Sequence, residues 1–91
     1  MEITLAHNES KTVLGLTITN ISGGHDIFES GEDTSFSMVE FRADEVETKT
    51  VRIAQGGMAS GDIYFGSYHI IVLDVGRDGD VIKLLITKLD K

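Results

Sequence analysis

From Ile63 to Leu89 the chain reads I-Y-F-G-S-Y-H-I-I-V-L-D-V, then G-R-D-G-D, then V-I-K-L-L-I-T-K-L. Two β-branched, apolar runs on either side of a Gly/Asp cluster predict a β-hairpin. Apolar residues fall on both parities of each arm: Ile70, Ile71, Val72 and Leu73 on the way up, Ile82, Leu84, Leu85 and Ile86 on the way down. A strand apolar on both parities needs cover on both faces, from a second layer of the same chain or from another subunit. The hairpin is therefore expected at the centre of the core, with Ile71, Leu73 and Leu85 as a candidate apolar interface.

The remaining chain reads as shorter strands of the same kind. Glu2 to Ala6 alternates polar and apolar, and His7-Asn8-Glu9-Ser10 turns the chain. Lys11 to Ile21 is expected as one half-buried strand with Leu14, Leu16 and Ile18 inward, Gly15 marking a bulge or close approach. Ser22-Gly23-Gly24 reads as a turn, followed by a short strand from His25 to Ser30 that Gly31-Glu32-Asp33-Thr34 ends. In Ser35 to Ala43, Phe36 and Met38 take one parity and Val39 and Phe41 the other, so a bulge near Met38–Val39 is expected to keep all four inward. Residues 44–48 form an acidic connection, Lys49 to Gln55 alternates again, and residues 56–62, with three glycines, are expected as a mobile loop. No stretch has a 3.6-residue apolar period long enough for a helix. The expected fold class is all-β, a small single-domain antiparallel β-sandwich or open barrel of about six to eight short strands spanning 1–91.

Charge sharpens the functional reading. The chain carries a net charge of −7, and nearly all of it lies in the first half: residues 1–48 hold ten acids against Lys11 and Arg42. Asp26, Glu29, Glu32, Asp33, Asp44, Glu45 and Glu47 make up a candidate acidic interaction face. Such a field disfavours direct binding to nucleic acid and favours a basic partner or plain solubility. The chain has no cysteine, which excludes disulfides, thiol catalysis and thiolate metal sites. With no signal peptide and no apolar run of membrane-spanning length in the sequence, a soluble cytoplasmic protein without membrane contact is expected.

Motifs with chemistry are few. Asp74, Asp78 and Asp80 crowd a glycine turn as calcium ligands do, but Gly76 and Leu85 fall where further oxygen ligands belong, and a plain Asp-Gly hairpin turn explains the cluster. His7, His25 and His69 show no ligand spacing, so no metal or other cofactor is expected. Ser60 and Ser67 lie beside glycines without a nucleophile elbow, and the loop at 56–62 lacks the lysine and helix of a phosphate cradle. Tyr64, Phe65 and Tyr68 have too few basic neighbours for base stacking and read as core or interface. An enzyme is not expected.

The run G-S-Y-H-I-I-V-L-D-V-G-R-D-G-D resembles the closing strands of bacterial immunoglobulin-like domains, where Gly66 and Tyr68 would form a Gly-x-Tyr corner. The likeness covers about the last quarter of the chain and implies a β-sandwich. The same hairpin, through I-V-L-D-V and D-V-I-K-L-L-I, is similar to that of the small carbon-storage-regulator RNA-binding proteins, without the basic segment those proteins carry beyond it. Neither likeness assigns a family.

The expectation drawn from these readings is a non-enzymatic protein-binding or assembly module that uses the apolar C-terminal hairpin and the acidic N-terminal half, with a protein partner or a second copy of itself in a homo-oligomer. Two alternatives stand beside it: an acidic nucleic-acid mimic that inhibits a basic protein, and a structural subunit of a larger assembly that pairs through the hairpin edge.

Overall fold

The computed structural model describes residues 1–27, 31, 33–44, 46–54 and 62–89, with the backbone alone at 26, 27, 33 and 34. Eight strands follow in order: β1 Glu2–Ala6, β2 Ser10–Val13, β3 Leu16–Ile27, β4 Asp33–Ala43, β5 Val46–Ala54, β6 Asp62–Phe65, β7 Tyr68–Val75 and β8 Val81–Lys88. They form two antiparallel four-stranded sheets, ordered β1-β8-β7-β6 and β2-β3-β4-β5. Followed around the molecule, the strands keep their sequence order and the ladder is interrupted at two seams, β1/β2 and β5/β6. The protein is all-β, as expected, and among the described residues only Arg77–Gly79 is helical, as a single 3-10 turn between β7 and β8.

Two hairpins occur where unbroken strands were expected. Lys11 to Ile21 divides at Leu14-Gly15, both with positive φ (54° and 85°), and Val13 then pairs with Leu16. This is the pattern of a type I′ turn, and a leucine in its first central position is what conceals it in the sequence. The expected single arm from Ile63 to Val75 likewise divides at Gly66-Ser67, so Phe65 pairs with Tyr68 and the hairpin becomes a three-stranded meander.

Conversely, the turn expected at Ser22-Gly23-Gly24 is the interior of β3. The glycines serve an approach of backbones: a Cβ on Gly23 would lie 2.3 Å from the Asp78 carbonyl oxygen and 2.4 Å from that of Phe36. Only a residue without a side chain lets the turn at Arg77–Gly79 settle on the β3–β4 pair.

The core fills the space between the sheets. Leu5, Ile70, Val75, Ile82, Leu84 and Ile86 from one sheet meet Leu16, Ile18, Val39, Phe41 and Ile53 from the other, all fully buried. Phe41 and Phe65 touch across the layers with ring centroids 5.8 Å apart. At about 25 cal/mol per Å² of apolar surface, burial of each such side chain contributes roughly 1.5–3 kcal/mol.

One polar group is embedded in this core. Fully buried Asn20 donates through Nδ2 to the carbonyls of Leu5 (3.4 Å) and Gly79 (3.1 Å), and its Oδ1 accepts from the Ser37 hydroxyl. Its backbone receives Asn8 N–H at 2.7 Å and donates to Glu9 O at 3.0 Å. Asn20 thus fastens β1, the β1–β2 turn, β4 and the 3-10 turn to one point. A register shift between Asn20 and Ser22 places the bulge on β3, opposite Met38–Val39, where one had been expected on β4. Ser37, Val39 and Phe41 consequently face inward, while Phe36 and Met38 are only partly buried, and Phe36 lies beneath Arg52, 4.1 Å from its ring centroid.

A candidate protein-binding face

The division at Gly66-Ser67 determines the outward surface of the β1-β8-β7-β6 sheet. Cross-strand pairing sets Tyr64 opposite His69, Asp62 opposite Ile71, and Ile71 opposite Leu85. Directly opposed residues share a face, and Ile70, Leu84 and Ile86 occupy the inner one, so Tyr64, His69, Ile71 and Leu85 form one outward row. Tyr64 is 63% exposed and its ring stacks on His69, 4.7 Å between centroids and 12° from parallel. Stacking leaves His69 Nε2 buried, with no hydrogen bond and 3.6 Å from Asp62 Oδ1. Leu73 occupies a register shift between Val72 and Asp74 and is 45% exposed. A bulge of this kind pushes its extra residue off the ladder. Lys83 and Glu2, 3.6 Å apart, border the row on the β1 side.

The opposite sheet presents different chemistry outward. Ser10 and Thr19 share a hydrogen bond of 2.7 Å, Thr12 and Thr17 one of 2.8 Å, and Arg42 reaches Glu40 at 3.1 Å. Those hydroxyls and charges satisfy one another or meet water. At its β3–β4 end this face also carries partly buried Met38 and Phe36, the latter beneath Arg52, so among the described residues the first sheet's outer face is set apart by exposed Tyr64 and Leu73.

Of the three interface candidates read from the sequence, Ile71 and Leu85 are brought side by side, both half-buried, and Leu73 lies near them. The described acidic candidates lie in two places. Asp26 and Asp33 belong to the β3–β4 end where Ile27 pairs with Asp33, whereas Asp44 and Glu47 flank the β4–β5 turn, and both are exposed. The length of β4 separates the two groups by about 30 Å. Glu29, Glu32, Glu45 and most of the expected mobile loop at 56–62 lie outside the described residues; Asp62 opens β6.

A second location was invisible in the sequence because its parts are 53 positions apart. His25 Nδ1 meets Asp78 Oδ1 at 2.7 Å, and the Asp78 amide donates to Ser35 Oγ at 3.0 Å. They line a cleft of about 370 Å³ with Asp74, Val75, Gly76 and Arg77. A carboxylate orienting an imidazole is half of a nucleophilic triad. Ser35, however, has its Oγ on the Asp78 amide, and Asp78 itself has φ 56°, so these contacts hold the turn against β3 and β4. Of the other histidines, His7 is exposed in the β1–β2 turn and His69 belongs to the outward row. Among the described residues no three His, Asp or Glu side chains stand close enough together to hold a metal ion, and no helix is long and apolar enough to cross a membrane.

The expected Gly-x-Tyr corner takes another form. Tyr68 is buried and its hydroxyl donates to the carbonyl of Leu14 at 2.7 Å, bridging to the β2–β3 turn of the opposite sheet. Compared with models of protein families, with characterised proteins and with solved structures, the chain finds no match.

Proposed function

We propose that this chain is a non-enzymatic protein-binding module whose contact surface is the outward face of β6, β7 and β8. The observation that supports this reading is a difference between the two outer faces: exposed Tyr64 and Leu73 lie with Ile71 and Leu85 on one, whereas the other carries threonines, the Arg42–Glu40 pair and, partly buried, Met38 and Phe36 beneath Arg52. Aromatic and branched apolar side chains grouped on a sheet, bordered by ion pairs, are the composition of an interface core with a polar rim. Among the described residues the acidic candidates lie toward opposite ends of β4, a placement that favours the apolar face over the nucleic-acid mimic.

Affinity capture from host lysate tests the reading with two baits, the natural chain and an Ile71→Lys/Leu85→Lys variant. Both positions are half-buried and directly opposed, so the variant is expected to lose some stability, and capture is compared at a temperature at which both baits are shown to be folded by their unfolding midpoints. The proposal expects a specific protein on the natural bait and its loss from the variant. Equal capture by both baits would overturn it.

A further inference from the structure

The β7–β8 turn is pinned to the opposite sheet by contacts of unlike chemistry. Gly79 O accepts from the buried Asn20 amide at 3.1 Å, and the Asp78 N–H donates to Ser35 Oγ at 3.0 Å. Neither contact changes charge in the range of about pH 5 to 8, where histidine alone of the unperturbed side chains titrates. The next contact is to a histidine. His25 Nδ1 lies 2.7 Å from Asp78 Oδ1 and donates to that carboxylate across 53 positions of chain. The turn is held in an uncommon conformation, with Asp78 at φ 56° and Gly79 at φ 71°. A non-glycine residue keeps such a backbone only while its surroundings fix it.

Charge around the ring sets the direction of the effect. Asp74 from β7 and Arg77 and Asp78 from the turn line the same cleft, Ser35 from β4 is neutral, and Asp33 holds the next position of the same parity on β4. With Asp78 in direct contact and Asp74 in the cleft, negative charge outweighs the Arg77 guanidinium and favours the protonated ring. The folded chain then binds this proton more tightly than the unfolded chain does. Its contribution is present in full below the value of an unfolded histidine, about 6.5, and fades as pH rises through the folded one. A neutral ring keeps at most an uncharged hydrogen bond, roughly half as strong.

We propose that His25 is a pH-responsive latch on the β7–β8 turn: protonated, it fastens the turn to β3, and loss of the proton loosens it. Asp74 connects the latch to the outward face, because it shares the cleft with His25 and directly follows Leu73 at the β7 register shift. Loosening the turn frees the bulge that holds Leu73 outward. The latch goes beyond the protein-binding reading and stands without it.

The test compares the whole natural chain with His25→Gln and Asp78→Asn at about pH 6 and about pH 8, by urea unfolding and by amide hydrogen exchange. Glutamine does not titrate, and asparagine adopts positive φ readily, so the second variant keeps the turn and removes its charge. His7, His69 and the N-terminal amine are common to all three chains, so the difference between chains isolates the latch. On the rise in pH the natural chain is expected to lose about threefold in folding equilibrium constant relative to either variant, the size of an exposed ion pair. Protection of the Gly76, Gly79 and Asp80 amides, which donate to Val81 O, Gly76 O and Arg77 O, is expected to fall with it. Concentrated salt should erase the difference. An equal pH response in His25→Gln, or a response of opposite sign, would overturn the proposal. So would a loss of protection confined to strands away from the turn.

Discussion

Removing the Asn20 amide would leave the Leu5 and Gly79 carbonyls without that donor in a site closed to water, while the Ser37 hydroxyl keeps the Ser22 carbonyl at 3.1 Å. Unsatisfied buried groups cost about 1–3 kcal/mol each, so Asn20→Ala should lower stability by roughly 2–4 kcal/mol, read as a shift of the urea midpoint. Gly23→Ala should cost a similar amount for a different reason. Its methyl group would stand 2.3 Å from a backbone oxygen belonging to a turn that cannot retreat without leaving the core. Tyr68→Phe removes one hydrogen bond, to Leu14 O, and leaves the ring's packing intact; a loss of about 1 kcal/mol is expected in the same measurement. None of these roles shows in the sequence, where Asn20 is one polar residue in a strand and Gly23 belongs to an apparent turn. The partners that give them meaning are 59 and 55 positions distant.

Alternation of branched apolar residues made the β1, β5 and β8 regions and the β7–β8 turn legible before any coordinates, because period-2 burial against one core leaves a direct trace in sequence. Breaks within apolar runs left a weaker trace. Leu14-Gly15 turns the chain with a leucine at φ 54°, a conformation that asparagine or glycine adopts more readily. Leu14 is 44% exposed, so little burial is lost on its replacement. Leu14→Asn should therefore raise stability by about 0.5–1 kcal/mol, visible as a higher midpoint in thermal unfolding. Gly23 and Gly24 signal a turn locally and so hide the long β3–β4 pair in the sequence, whereas what they accommodate is a turn from the other sheet. Of the candidate site, Ile71 and Leu85 were foreseeable from their parity. Tyr64 reads in the sequence only as core or interface, since its place beside His69 depends on the reversal at Gly66-Ser67.

At the scale of the whole molecule, the same two-layer arrangement that buries one face of each sheet leaves two unequal outer faces. A net charge of −7 favours solubility in either reading, so charge alone does not identify the contact surface. The distribution favours the proposed surface: the described acidic candidates lie toward the two ends of β4, and the apolar row lies across β6, β7 and β8. Binding through that row implies weak dependence on salt, because apolar contact is not screened, whereas a carboxylate surface would lose its partner as ionic strength rises and the Debye length shortens. The decisive measurement is a calorimetric titration of the captured partner against the natural chain, the Ile71→Lys/Leu85→Lys variant and an Asp44→Lys/Glu47→Lys variant, each at low and high salt. The outward-face account predicts that the first variant loses at least about tenfold in affinity, while the second binds nearly as the natural chain does at both salts. Undiminished affinity in the first variant, with binding abolished by salt or by the second, would contradict it.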